Sequence, residues 1–364
     1  MYPTIVIGRK QFTWEEILTG SYSSKTDPYE KSILDFCHQF VNGQQEFQLT
    51  TSGSTGLPKP MTVSATHLKK SAQMTAKAIG LQKGMTSLVC LNTEFIAGKM
   101  MLVRGLEIGM DLFITAPSSN PFQSLPENLS FDFTALVPFQ AETILKNHTN
   151  HKLMLDGMKA ILIGGAAINI ELEELLQQVK APVYHTFGMT ETLSHIALRR
   201  INGVHKEDYF TILDGISISL DDRNCLVIRS PFTEAPLITN DVVELLDDKR
   251  FKWLGRADFL INSGGIKIHP EIIEKEIERK FYELKLTNRF FITGMHDPTL
   301  GEKVSLVIEG KPWNDQLVQR FKGELSVSLT KFQIPKQFYF IENFEETGSG
   351  KIDRRRTVQK LSVK

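Results

Sequence analysis

The sequence predicts a large α/β domain, built on open sheets with helices and a small β-rich portion, followed by a small α+β domain. Three observations carry that expectation. Strand-length apolar runs alternate with helix-length amphipathic runs through the first half of the chain. Helical signals vanish between Ile212 and Trp253, where short β segments take over. Helix and strand patterns return together after Gly255. Alternation with short connections favours an open sheet with helices packed on it. At roughly 150 residues per domain, 364 residues suggest two. The change of texture sets the boundary between Ala257 and Asp258, giving domains 1–257 and 258–364.

Each element has a local reason. Asp27 can cap a helix, Pro28 suits its first turn and Glu30 can reach back. Ile33, Cys37, Phe40 and Val41 then share one helical face, and Asn42-Gly43 ends it. Phe47 and Leu49 alternate with polar residues, as in a strand running into Thr50-Thr51-Ser52-Gly53. A helix over Ala65–Ile79 closes at Gly80. The strand SLVCL, the helix around KMMLVRGLEIG and the strands DLFIT and FTALVP follow. Next come the helix near AETILKN, the strand AILIGG, the helix IELEELLQQV and the strand APVYHTFG. The β-rich stretch reads ISISL, CLVIRS, VVELL and FKWLG. The last part predicts a helix over Pro270–Glu283, strands RFFITG and KVSLVIEG, a helix from Asn314 to Leu325 and a strand KQFYFIE.

Composition narrows the function. Forty-two Lys+Arg balance forty-two Asp+Glu, so a nucleic-acid binder that relies on a general positive field is not expected. With 41% hydrophobic residues the chain is not a disordered one. No apolar run reaches the length of a membrane span. The opening residues carry no signal-peptide pattern, and the ending is not Ser-Lys-Leu. Cys37, Cys90 and Cys225 are too few and too far apart for a disulfide framework or a zinc knuckle. A cytoplasmic protein is expected.

Five constellations stand out. Thr51-Ser52-Gly53-Ser54-Thr55-Gly56, ending at Leu57-Pro58-Lys59-Pro60, can turn N–H groups and hydroxyls toward phosphate oxygens. The prolines flanking Lys59 block the helix start that an ordinary P-loop needs. Phe187-Gly188-Met189-Thr190-Glu191 puts an aromatic ring at a strand end, with a carboxylate suited to Mg²⁺ close by. Gly164-Gly165-Ala166 is a strand end without bulky side chains, open to a ligand or to tight packing. Thr239-Asn240-Asp241, with Gly255-Arg256-Ala257-Asp258 further on, offers a carboxylate for a ribose diol and an arginine for ribose or phosphate, or else a turn with a surface ion pair. Thr347-Gly348-Ser349-Gly350-Lys351 presents one lysine on a glycine loop.

Taken in order, the blocks TSGSTGLPKP, GGAAI, FGMTET, ITND, GRADFLINSGGIKIHPEIIE and TGSGKIDR resemble the adenylate-forming superfamily. That superfamily includes acyl-CoA synthetases, luciferases and peptide-synthetase adenylation domains, and the resemblance runs from Gln48 to Arg356. It implies that the protein activates a small carboxylic acid with ATP, releases pyrophosphate and passes the acyl group to a thiol. It also implies the superfamily's two-domain fold, with ATP and Mg²⁺ used and coenzyme A as co-substrate. By the same resemblance Thr51 to Lys59 hold the β- and γ-phosphates, Glu191 binds Mg²⁺ and Thr190 lies near the α-phosphate. Phe187 and Gly188 belong to the block whose ring stacks on adenine against Gly164, Gly165 and Ala166. Asp241 binds the ribose with Arg256 beside it, and Lys351 bridges the carboxylate and the α-phosphate. Asp258 falls at the hinge about which the second domain turns, and Gly264-Gly265 just beyond it leave room for the pantetheine arm.

Departures from the pattern are as informative. Phe187 stands where the superfamily usually has tyrosine, and Asn240 where it usually has glycine. Glu94-Phe95-Ile96-Ala97-Gly98 takes the place of a Phe-His-x-x-Gly pattern without its histidine. The phosphate loop begins close to the N-terminus, as in a shortened form. The runs Thr192-Leu193-Ser194-His195-Ile196-Ala197 and Ile261-Asn262-Ser263-Gly264-Gly265-Ile266-Lys267 are similar to those of the o-succinylbenzoate–CoA ligases of menaquinone biosynthesis. A second carboxylate in such a substrate needs a donor or cation in its pocket. His195 is the candidate, with Arg199 as a helper; the other reading of His195 is a packed strand residue. The alternatives are a CoA or carrier-protein ligase for another aryl or short acyl acid, and a non-catalytic nucleotide-binding relic.

Overall fold

The Asp27 carboxylate accepts the Glu30 N–H at 2.9 Å, and Glu30 returns the bond to the Asp27 N–H at 3.0 Å. With Pro28 in the first turn, the helix Pro28–Val41 starts where its capping box dictates. The helix Ala65–Ile79 is likewise capped by Ser64 and closed by Gly80 at φ 73°. The computed structural model describes residues 3–22, 26–50, 60–126, 129–147, 149–347 and 352–361. They pack as two units: Met1–Ile218 with Ile228–Leu237 and Leu246–Phe251, and Ser219–Val227 with Ile238–Leu245 and Lys252–Lys364.

In the first unit, Ile5–Ile7, Asp111–Ile114, Thr86–Val89, Phe133–Leu136, Ala160–Ile163 and Val183–Gly188 are parallel neighbours in that order. His195–Arg200 and then Phe210–Ile212 continue the sheet antiparallel, and Phe210 faces Phe251. Phe133–Leu136 and Ala160–Ile163 are buried at every position, as parallel strands covered on both faces must be. Leu88, Leu136, Ile161, Ile163, Leu172 and Val183 share one apolar core. A separate hairpin pairs Glu46–Thr50 with Pro60–Ser64.

In the second unit, Phe290–Asp297, Gly301–Glu309, Ile261–Ser263 and Ile266–Ile268 make antiparallel neighbours, and Gln337–Ile341 runs parallel to Gly301–Glu309. The helices Pro270–Glu283 and Asp315–Leu325 close its core through Ile273, Ile277, Phe281, Phe321 and Leu325. This is the α/β and α+β composition that the sequence predicts. Several elements escape the sequence pattern, among them the strands Ile5–Ile7, Lys10–Phe12, Pro60–Ser64, Ile261–Ser263 and Ile266–Ile268 and the helices Trp14–Thr19, Thr149–Asp156 and Arg354–Leu361. Each is short, and Ile5–Ile7 finds its parallel partner about a hundred positions later, at Leu112–Ile114.

Candidate active site

The hairpin Glu46–Thr50/Pro60–Ser64 brings Thr50 opposite Pro60, so the two ends of the hydroxyl-rich loop meet. Thr51, Ser52, Gly53, Ser54, Thr55, Gly56 and Lys59 themselves lie outside the described residues, as does Lys351. Lys351 is flanked by an antiparallel bridge between Glu346 and Ile352.

Gly164 follows the strand Ala160–Ile163. A Cβ there would fall well inside the van der Waals radius of Thr186 Oγ1 on the next strand, so close strand packing accounts for this glycine. Gly165 needs its backbone freedom instead, with φ +84°. Two residues before Phe187, His185 hydrogen-bonds the Ala166 backbone, while Arg199 Nη2 lies 3.4 Å from its Nδ1. Burial and the Arg199 charge push the His185 pKa down to about 4. The ring is therefore neutral near pH 7, accepts from Arg199 and donates to Ala166. Phe187 remains half-buried and packs against Phe210 at 5.5 Å and edge-on to Phe251 at 5.2 Å. Its ring is therefore braced by aromatic neighbours.

After Gly188, Thr190–Thr192 forms one 3₁₀ turn and leaves Glu191 exposed. The Thr192 hydroxyl is fully buried, accepts the Met189 N–H at 3.0 Å and donates toward Ser194 O at 2.8 Å. Leu193 sits at φ 67°, ψ −44°, and the Ser194 N–H bonds Thr192 O at 2.7 Å. That is a classic γ-turn, strained for a leucine, and it aims the following residues back into the sheet. Gly188 is required here, since a Cβ would collide with the His195 backbone.

His195 is 8% exposed, and its Nε2 lies 3.0 Å from Thr75 Oγ1. Burial and the Arg104 charge hold its pKa well below the ordinary histidine range. Arg104 is the unexpected member. It lies in the helix Ile96–Ile108 within the wholly buried run Met100–Gly105, and it is 3% exposed. Nη2 donates to Ser194 Oγ at 3.0 Å, Nη1 reaches only the Met101 sulfur at 3.8 Å, and Nε has no partner. No carboxylate pairs with it among the described residues, and burial pushes its pKa down to about 10. A charge inside the run MMLVRGLEI was visible in the sequence, but its neighbours were not. Arg199 is not brought to His195; it lies 5.5 Å over the Phe210 ring, beside His185.

In the second unit, Asp241 is 9% exposed. Its Oδ1 accepts the Trp253 indole N–H at 2.9 Å, with Arg256 Nη1 3.9 Å away. Arg256 turns mainly to Asp258, at 2.8 Å. Asn240 joins Arg223 to Asp258 through its side-chain amide, at 3.0 and 3.4 Å, which gives a structural use to this departure from glycine. Gly255 leaves room for the Glu271 carboxylate, which accepts the Arg256 N–H at 3.2 Å. Gly264 and Gly265, at φ 60° and 81°, form the two-residue turn between Ser263 and Ile266, a type I′ arrangement that demands glycine-like conformations.

Among the described residues no cluster of three His, Cys, Asp or Glu could hold a metal ion. Mg²⁺ held by one carboxylate and substrate phosphates needs no such cage, and an exposed Glu191 fits that mode. No described helix is long and apolar enough to cross a membrane.

Residues 47–218 match the family model described as AMP-binding enzyme. The crystal structure of an acyl-CoA synthetase (AMP-forming)/AMP-acid ligase II-like protein from Dyadobacter fermentans is 40% identical at a TM-score of 0.65. The match covers 95% of this chain and 98% of that one. A 2-succinylbenzoate–CoA ligase of Listeria monocytogenes is 26% identical over 333 residues, covering 86% of this chain and 69% of its own. The O-succinylbenzoate coenzyme A synthetase of Bacillus subtilis, solved in complex with ATP and a magnesium ion, shares the fold. Its TM-score is 0.68 at 20% identity, over 85% of this chain and 69% of that one. With order of motifs, fold and likeness in agreement, the chain belongs to the AMP-forming acyl-CoA synthetase family of AMP-binding enzymes and is an acid–thiol ligase.

Proposed function

We propose that the protein converts o-succinylbenzoate to o-succinylbenzoyl-CoA through an acyl-adenylate, in menaquinone biosynthesis. The observation that carries the substrate is Arg104. A cation in a buried helix, with a free Nε and only a serine hydroxyl and a thioether for company, is expensive unless an anion completes it. The second carboxylate of a compact aromatic diacid supplies that anion. Ser194 adds a hydroxyl, and His195, kept neutral beside Arg104, leaves the positive charge to the arginine. The name of the Listeria relative points the same way.

In the first half-reaction one carboxylate of the substrate attacks the α-phosphorus of ATP, and the bond to the β-phosphate breaks, releasing pyrophosphate. Two anions must approach, so the chain has to supply positive charge and oriented donors. In this reading Thr51 to Lys59 hold the β- and γ-phosphates, Thr190 lies near the α-phosphate and Lys351 neutralises charge between carboxylate and α-phosphate. Glu191 holds Mg²⁺, which supplies charge compensation at the phosphates when bound. Phe187, with Gly164, Gly165 and Ala166, takes the adenine, and Asp241 with Arg256 takes the ribose. In the second half-reaction the CoA thiol attacks the acyl carbon, its proton passes to solvent and AMP leaves. Between the two half-reactions domain 258–364 turns about Asp258, and Gly264-Gly265 border the pantetheine path. In this reading the enzyme works in the cytoplasm, where ATP and CoA are available.

The test is a panel of acids with ATP and CoA, reading pyrophosphate and AMP. o-Succinylbenzoate should exceed benzoate and medium-chain fatty acids in kcat/KM. Arg104→Met should lose at least ~10²-fold with o-succinylbenzoate and far less with benzoate, because only the diacid leaves its second carboxylate unpaired. A fatty acid as best substrate, or an equal loss for both acids, refutes the reading.

A further inference from the structure

We propose that Trp253 is a positioning residue for ribose recognition, its indole N–H fixing the carboxylate of Asp241. The inference rests on the reading of Asp241 as the ribose-binding residue.

Asp241 and Trp253 stand on the adjacent strands Leu237–Leu245 and Arg250–Arg256. The indole N–H meets Asp241 Oδ1 at 2.9 Å, while the Asp241 backbone N–H is satisfied separately by Thr239 Oγ1 at 3.0 Å. Arg256, the cation expected beside Asp241, stays 3.9 Å from Oδ1 and directs its close bonds to Asp258, at 2.8 and 3.3 Å. The direct hydrogen bond on Asp241 therefore comes from a neutral donor.

That choice has consequences. An indole N–H can only donate, so it sets the rotation of the carboxylate without a second acceptor to compete for the ligand. Oδ1 is then held, and Oδ2 is the oxygen turned to a diol. Asp241 is nearly buried, and a hydrogen bond to a charged group in such a setting is stronger than a neutral one. A carboxylate held in one rotamer binds two vicinal hydroxyls without having to be ordered by them.

The experiment measures KM for ATP and for 2′,3′-dideoxy-ATP by pyrophosphate exchange, in wild type, Trp253→Phe, Asp241→Asn and the double variant. Trp253→Phe keeps the ring and deletes the N–H. It should raise KM for ATP by roughly tenfold, the scale of one hydrogen bond to a charged group. KM for dideoxy-ATP, KM for the acid and kcat should stay near wild type. The double variant should be no worse than Asp241→Asn, and Trp253→His, which restores a ring donor, should recover part of the loss. A Trp253→Phe variant that weakens ATP and dideoxy-ATP equally, or neither, overturns the proposal while Asp241 keeps its role. If Asp241→Asn retains the full preference for ATP over dideoxy-ATP, the ribose reading itself fails. Melting temperatures of all variants check folding, and should the Phe variant not fold, the His variant alone must keep part of the wild-type preference for ATP over dideoxy-ATP that Asp241→Asn loses.

Discussion

His185 shows how much a single side chain can carry without any motif to announce it. Its ring spans Arg199 and the Ala166 backbone, and burial with the neighbouring guanidinium lowers its pKa to about 4. In the unfolded chain the same group titrates near 6.5. Above that pH both states are neutral and the full stability contributed by the buried ring is present. As pH falls from about 6.5 through about 4, the unfolded chain takes up the proton first and that stability is lost. His195, also depressed by burial and by Arg104, acts in the same direction. The melting temperature should therefore drop steadily between pH 6.5 and 4. His185→Gln, which can still accept from Arg199 and donate to Ala166, should flatten part of the drop. Parallel curves for wild type and variant would show that His185 ionises freely in the folded protein.

At the scale of elements, the strands around residues 164 and 188 lie too close to their neighbours for a side chain at either glycine. Gly164 and Gly188 each face atoms of a neighbouring strand where a Cβ has no room, and the Leu193 γ-turn follows directly on the second. Gly164→Ala must push Thr186 Oγ1 aside in a buried sheet. It should cost about 1–3 kcal/mol in denaturant unfolding, the range for overpacking. Adding Thr186→Ala removes the opposing hydroxyl and should restore most of that loss. If the second substitution brings no recovery, the cost arises from backbone conformation, not from this contact. The capped helices tell the opposite story. Asp27 with Glu30, Ser64 with Gly80 and Asn314 before Asp315 are local devices, so their helices were legible from short windows of sequence. The helix Thr149–Asp156 and the N-terminal strands lacked such marks and were not.

Across the whole molecule, the two half-reactions make different demands. Lys351 must serve the α-phosphate and then give way to the thiol, which calls for movement about Asp258 in the reading proposed above. Proline at 258 fixes its own φ and restricts Ala257. Asp258→Pro should leave pyrophosphate exchange in place while acyl-CoA formation falls sharply. Asp258 also bonds Arg256 and Asn240, so Asp258→Asn serves as the control for loss of the ion pair. Equal loss of both half-reactions in the proline variant, with melting temperature preserved, would remove the hinge assignment.

The sequence by itself determined the alternation of strands and helices, the change of texture after Gly255 and the family, because each depends on local patterns or on the order of short motifs. It also singled out Asp241, Arg256 and His195 by type and position. Only the tertiary structure decided what stands beside them. Arg104 lies 90 positions from the Ser194 hydroxyl it meets, Thr75 lies 120 from His195, and Trp253 faces Asp241 across two strands. Whether a buried charge is paired, which oxygen of a carboxylate is held, and whether a glycine serves a turn or a close approach are properties of the neighbours. Those neighbours are brought together by burial of apolar strands that share no local signal with the site.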